Sequence, residues 1–149
     1  MENRADPIVA VVEKWHDHVR GRLDGGLDVL LADDCVFLSP IVFSPQVGKE
    51  ITKLYLTAAS KTFPGDGSSD GQGSAPSSGG SFTYVKEILS GHHAVLEFET
   101  TIGGKYVNGI DMITCNDAGQ ISEFKVMIRP LQAVNLIHEQ MKAMLERLA

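Results

Sequence analysis

The chain has 149 residues, close to the modal size of one domain. Its 13 Lys plus Arg against 19 Asp plus Glu leave a formal net charge of −6, and the basic residues do not cluster, which argues against nucleic acid as a partner. No apolar run is long enough to span a membrane and MENRADP lacks a secretory apolar stretch, so a cytoplasmic protein with no membrane partner is expected.

Asp6-Pro7 is an N-cap and first-turn signal. Ile8, Val11, Val12, Trp15 and Val19 then recur at helical spacing until Gly21. A short second helix carries Leu27, Leu30 and Leu31 and closes at Asp33-Asp34. Residues 35–43 read as a strand broken by Pro40, and Gly48 precedes a third helix with Ile51, Leu54, Tyr55 and Ala58 on one face. Residues 65–81 hold six Gly and six Ser in 17 positions and cannot bury apolar area. They are expected to form a flexible inserted loop within one domain spanning 1–149, with a lid over a pocket mouth as the functional alternative. Four strands follow, at 82–90, 93–102, 105–115 and 120–129, with hairpin turns at Gly103-Gly104 and at 116–119. Pro130 opens a last helix with an apolar stripe of Leu131, Val134, Ile137, Met141, Met144 or Leu145, and Leu148. Helices ahead of an antiparallel meander define an α+β class, with the sheet curling over the early helices.

The hairpins assign faces, because opposed residues in an antiparallel pair share a face and side chains alternate. The first turn pairs Ile102 with Lys105, so Phe98 opposes Gly109 and Leu96 opposes Asp111. The second pairs Cys115 with Gln120, so Asp111 opposes Phe124. One face then carries Leu96, Phe98, Thr100, Val107, Gly109, Asp111, Ile113, Phe124, Val126 and Ile128. Asp111 is its single ionisable residue. Burial disfavours the charged form, so its carboxyl is expected to stay protonated and able to donate to a ligand oxygen. The structural alternative is an acid satisfied by backbone or hydroxyl donors such as Ser39. The opposite face, with Glu97, Tyr106, Asn108, Ile110, Met112 and Met127, is mixed and expected to be solvated or paired with a second subunit.

Cys35 and Cys115 form no CxxC, and the five histidines lack paired ligand spacing, so no metal is expected. No GxGxxG, GxxxxGK or GxSxG occurs, so neither a nucleotide cofactor nor a Ser-His-Asp hydrolase is supported.

ADDCVFLSP (32–40), the Gly48-Lys49 helix start, GIDMITCNDAGQI (109–121) and EFKVMIRP (123–130) resemble the nuclear transport factor 2-like superfamily. Within it, the chain looks most like SnoaL-like polyketide cyclases and ketosteroid isomerase-like proteins. The resemblance implies a cone-shaped, curved antiparallel sheet wrapped around the N-terminal helices, a deep apolar pocket, and a homodimer through the outer sheet face. Asp111 falls where ketosteroid isomerases keep a protonated Asp in the oxyanion hole, and Tyr55 falls near a supporting tyrosine. The sequence departs from that pattern at two positions: Ser39 replaces the catalytic base, and Trp15 replaces the first-helix tyrosine. Limonene epoxide hydrolases use an Asp-Arg-Asp set, and here the last-strand acid position is Val126.

The expected ligand is a small apolar carbonyl compound, held in a pocket walled by Trp15, Phe37, Ser39, Phe98, Phe124, Val126 and Ile128. Asp111, helped by Tyr55 or Ser39, would polarise the oxygen. His16 is the candidate base, with His18 two residues further on. Isomerisation, cyclisation or dehydration without a cofactor would follow. The alternatives are a non-catalytic binder of an apolar metabolite and a dimerisation module whose interior is filled.

Overall fold

The computed structural model describes residues 6–62 and 82–148. The elements run α1 (Pro7–Val19), α2 (Leu27–Leu30), β1 (Leu31–Leu38), β2 (Gln46–Val47), α3 (Lys49–Thr62), β3 (Thr83–Ser90), β4 (His93–Ile102), β5 (Lys105–Cys115), β6 (Ile121–Arg129) and α4 (Leu131–Leu148). The strands form one sheet in the order β2-β1-β6-β5-β4-β3. This is the α+β architecture that the element order implied, with a meander that is antiparallel throughout. β1 joins the sheet beside β6 in parallel, so the sheet as a whole is mixed. The expected Gly/Ser-rich loop at 65–81 lies outside the described residues.

Local chemistry explains most of the elements. α1 buries Ile8, Val11, Val12 and Trp15 along one stripe. Asp6 does not cap α1 with its side chain. Its carboxylate accepts from the Gly91 N–H at 2.8 Å while the Ile8 N–H donates to the Gly91 carbonyl at 3.0 Å, tying the helix start to the β3–β4 turn. Gly103 and Gly104 take φ of 58° and 79°, the positive values that a two-residue hairpin turn requires. Asn116 holds the second turn by accepting from the Ala118 and Gln120 N–H groups.

Three boundaries differ from the sequence expectation. The first strand spans 31–38 rather than 35–43, and Leu31 belongs to it rather than to the second helix. Asp33-Asp34, read as a helix end, sits exposed where the β1–β6 register shifts between Leu31 and Val36. A carboxylate pair in a local bulge is solvated without breaking the strand. Ser39-Pro40 then ends pairing, since proline offers no N–H. On α4 the buried residues are Ala133 and Ile137, while Leu131 is 73% exposed, so the covered stripe is rotated from the one expected.

The β4–β5 register is as counted, with Leu96 opposite Asp111 and Phe98 opposite Gly109. The β5–β6 register is not. Asp111 opposes Val126 and Ile113 opposes Phe124, because Cys115 pairs with Ile121 rather than Gln120 and the irregularity between Thr114 and Cys115 adds a second residue of offset. A two-residue slip preserves the side-chain alternation, so Asp111, Phe124, Val126 and Ile128 stay on their assigned face. α1 packs on β4 and β5, α3 on β1, and α4 on β5, β6 and α3. The core under them divides in two. Leu96, Ile113 and Phe124 cluster with α1, and Phe98, Ile102 and Val107 cluster with Ala133 and Ile137. Among the described residues no helix is long and apolar enough to cross a membrane.

Candidate functional site

Between the inner sheet face and the helices lies a cavity of about 730 Å³. Its walls are aromatic. The Trp15 and Phe124 rings lie 4.9 Å apart, Phe37 and Tyr55 5.2 Å apart, and Phe82 stacks on Phe98 at 4.8 Å. Gly109 makes one of these positions possible. A Cβ there would stand 2.6 Å from Phe98 Cζ and 2.5 Å from the Met127 carbonyl oxygen, so only glycine lets the Phe98 ring lie across β5.

Asp111 lines this cavity and is 6% exposed. The Tyr84 hydroxyl donates to Asp111 Oδ2 at 2.5 Å and itself accepts from Trp15 Nε1–H at 3.0 Å. Burial pushes the Asp111 carboxyl up to about 7, against a smaller opposing pull from the Tyr84 hydrogen bond. Burial, reinforced by Asp111, also drives the Tyr84 hydroxyl well above its ordinary value, so it stays a donor. Tyr84 is the acid's only side-chain partner among the described residues, which leaves Oδ1 without a side-chain partner there. A neutral carboxyl so held has one oxygen fixed by Tyr84 and one O–H to offer a ligand.

Of the other expected site residues, Trp15, Phe37, Ser39, Tyr55, Phe98, Phe124, Val126 and Ile128 also border the cavity. Ser39 does not reach Asp111. Its Oγ accepts from the Ile41 and Val42 N–H groups at 2.9 and 3.1 Å and so is engaged in its own turn. His16 is not among the lining residues. Its Nε2 pairs with Glu87 Oε2 at 2.5 Å on the protein surface. The histidine of α1 that does line the cavity is His18, half-buried, with its ring 5.6 Å from that of Trp15. Burial lowers its pKa, so the imidazole is neutral at neutral pH.

Phe82 and Tyr84 both face the cavity, but Lys86, which strict alternation along 82–90 would put on the same side, does not share their face. A shift between Tyr84 and Lys86 puts Lys86 opposite Glu97 on the outer face and turns Glu87 toward α1, where it meets His16. α4 contributes Ile137, Met141 and Leu145 to the cavity wall, residues whose helical periodicity reads simply as core. Among the described residues no three His, Cys, Asp or Glu side chains converge as a metal site would require.

No protein-family model matches the sequence, and no curated protein matches it. Solved structures do. A steroid delta-isomerase from Pseudomonas aeruginosa is 29% identical, with a TM-score of 0.80 over 99% of this chain and 98% of its own. An uncharacterized bacterial protein with a cystatin-like fold from Silicibacter pomeroyi is 23% identical, with a TM-score of 0.72 over 89% of this chain and 83% of its own. An NTF2-like protein of unknown function from Mesorhizobium loti shares the fold at 14% identity and a TM-score of 0.64, over 87% of this chain and 97% of its own. The four helices and open six-stranded mixed sheet of the described residues, with these structural neighbours, show the nuclear transport factor 2-like, cystatin-like α+β fold.

Proposed function

We propose that the protein binds an apolar carbonyl compound in the cavity and catalyses a cofactor-free proton transfer on it, an isomerisation or cyclisation of the ketosteroid isomerase or SnoaL-like kind. The observation that carries this reading is Asp111: a buried acid, held by one hydrogen bond, facing an apolar cavity of about 730 Å³. A buried acid without its full set of partners is costly unless something enters to use it. Bound carbonyl oxygen accepts from the neutral carboxyl, and charge developing on that oxygen strengthens the bond, which favours the transition state over the ground state. Tyr84 and Trp15 fix the carboxyl in place, and Tyr55 offers a further hydroxyl from α3. The likeness to a steroid delta-isomerase over nearly the full length supports the same chemistry.

On this reading residues 1–149 act as one domain. Two copies pair through the outer sheet face, where Ile88, Tyr106 and Met127 are exposed. A second reading, a non-catalytic binder, draws on Ser39. The base of the resembling isomerases is missing there, and the hydroxyl that replaces it is committed to a turn. A module that only dimerises is disfavoured by the open cavity.

The test uses β-naphthol, an aromatic mimic of an enolate, and β-tetralone, a ketone of the same shape. Carbon-detected NMR follows the Asp111 carboxyl during a pH titration. Expected are a midpoint near neutrality, a shift on adding β-naphthol, and faster exchange of the β-tetralone α-protons in D₂O with the protein than without it. A β-naphthol response without exchange selects the binder. A midpoint in the ordinary carboxylate range with no response overturns both readings.

A further inference from the structure

We propose that His18 is the general base of this site, in place of the acid that Ser39 has lost. The inference rests on the carbonyl-binding reading of Asp111. A base must reach the cavity that holds the substrate oxygen, and α1 presents two histidines two residues apart. His16 is turned onto the surface and paired with Glu87. His18 stands on the cavity wall, three residues after Trp15, with the two rings in contact at 5.6 Å. Trp15 donates in turn to Tyr84, and Tyr84 to Asp111. The proposed base and the oxygen-binding acid are therefore joined through Trp15 and Tyr84, and both line the same cavity.

Two further features suit His18 to the work. Its ring makes no hydrogen bond with a described residue, so a nitrogen lone pair is free to accept a proton. Burial keeps the imidazole neutral near pH 7, the form a base requires. His138 also borders the cavity, but from an exposed position on α4.

The step balances within the site. The C–H bond next to the carbonyl breaks and its proton goes to a His18 ring nitrogen. The electron pair left behind forms the C=C bond of an enol or enolate, while the carbonyl π pair moves onto the oxygen held by the Asp111 O–H. The imidazolium then either trades its proton for a solvent deuteron and delivers that to the same carbon, which is the exchange seen in D₂O, or returns the proton to a conjugated carbon, which is isomerisation.

The decisive comparison is α-proton exchange of β-tetralone in D₂O by the wild type and by His18→Gln, which keeps a polar side chain of similar reach without its basicity. Exchange is expected to fall by on the order of 10²-fold, while β-naphthol binds as before because the Asp111 wall is intact. In His18→Ala, added imidazole is expected to restore part of the lost exchange, an effect that loss of folding would not allow. Wild-type rates in His18→Gln overturn the assignment and leave Asp111 standing. Absence of exchange in the wild type while β-naphthol still moves the Asp111 signal also removes the base, and keeps the pocket as a binding site. No exchange together with no naphthol response means that the Asp111 reading itself has failed.

Discussion

Asn108 and Asp111 are polar side chains buried to the same extent on opposite faces of the central sheet, and their surroundings differ. On the outer face Asn108 is 6% exposed. Its amide donates to Glu97 Oε2 and to the Phe98 carbonyl, both at 3.0 Å, and its oxygen accepts from Arg129 Nε at 2.8 Å. On the inner face Asp111 is equally buried but has one side-chain partner among the described residues, Tyr84, and an apolar cavity on its other side. A buried polar group with several good bonds stiffens the fold. A buried acid with one bond and an open space before it has a donor left over, which is what the proposed ligand would use. Burial alone does not separate the two; the tally of partners does.

That contrast breaks most sharply at Asp111. Asp111→Asn keeps an oxygen to accept from Tyr84 but replaces an acidic O–H by a weaker donor. Exchange of β-tetralone protons should fall by ~10²-fold or more, with the fold unchanged by circular dichroism. Equal rates would make Asp111 a structural residue like Asn108.

The same variant should change the pH dependence of stability. The Asp111 carboxyl is raised from 3.8 to about 7 on folding. Well below 3.8 both states are protonated and its contribution to stability is complete. As the pH climbs through about 7 the unfolded state has long been ionised, and that contribution is lost. Asp111→Asn removes this penalty, so near pH 8 it should exceed the wild type by up to roughly 4 kcal/mol, with the gap closing near pH 4. Urea titrations at the two pH values measure it, and a constant gap would contradict the raised pKa.

Asn108→Ala should act on stability and not on the ligand. It strips three hydrogen bonds and leaves the Arg129 and Glu97 groups short of a partner, a loss of about 2–3 kcal/mol. β-Naphthol affinity should not move; a weakened affinity would mean that the two faces are coupled. The smallest effect is expected for Tyr84→Phe. It removes the hydrogen bond that draws the Asp111 carboxyl downward, so the NMR midpoint should rise above about 7, at a stability cost of about 1 kcal/mol. A fall would show that Tyr84 does not donate to the acid.

Much of this was legible in the residues themselves. Period-two alternation along 93–102 and 105–115, closed by Gly103-Gly104, set the β4–β5 register and with it the face of Asp111, because a hairpin turn of fixed length leaves no freedom in pairing. Helical spacing placed Trp15 on the buried stripe of α1 for the same local reason. Three other features needed the whole chain. The parallel pairing of β1 with β6 joins segments more than eighty residues apart, and no local signal encodes it. The bulge at Tyr84–Lys86 decides which β3 side chains face inward, and it depends on how β3 lies against β4. Which of His16 and His18 lines the cavity is a matter of two residues on one helix, decided by where Glu87 and Trp15 stand after packing. Periodicity fixes what neighbours in sequence do to one another; which side chain meets a cavity, and which meets a distant carboxylate, is set by tertiary contacts that the chain makes only once folded.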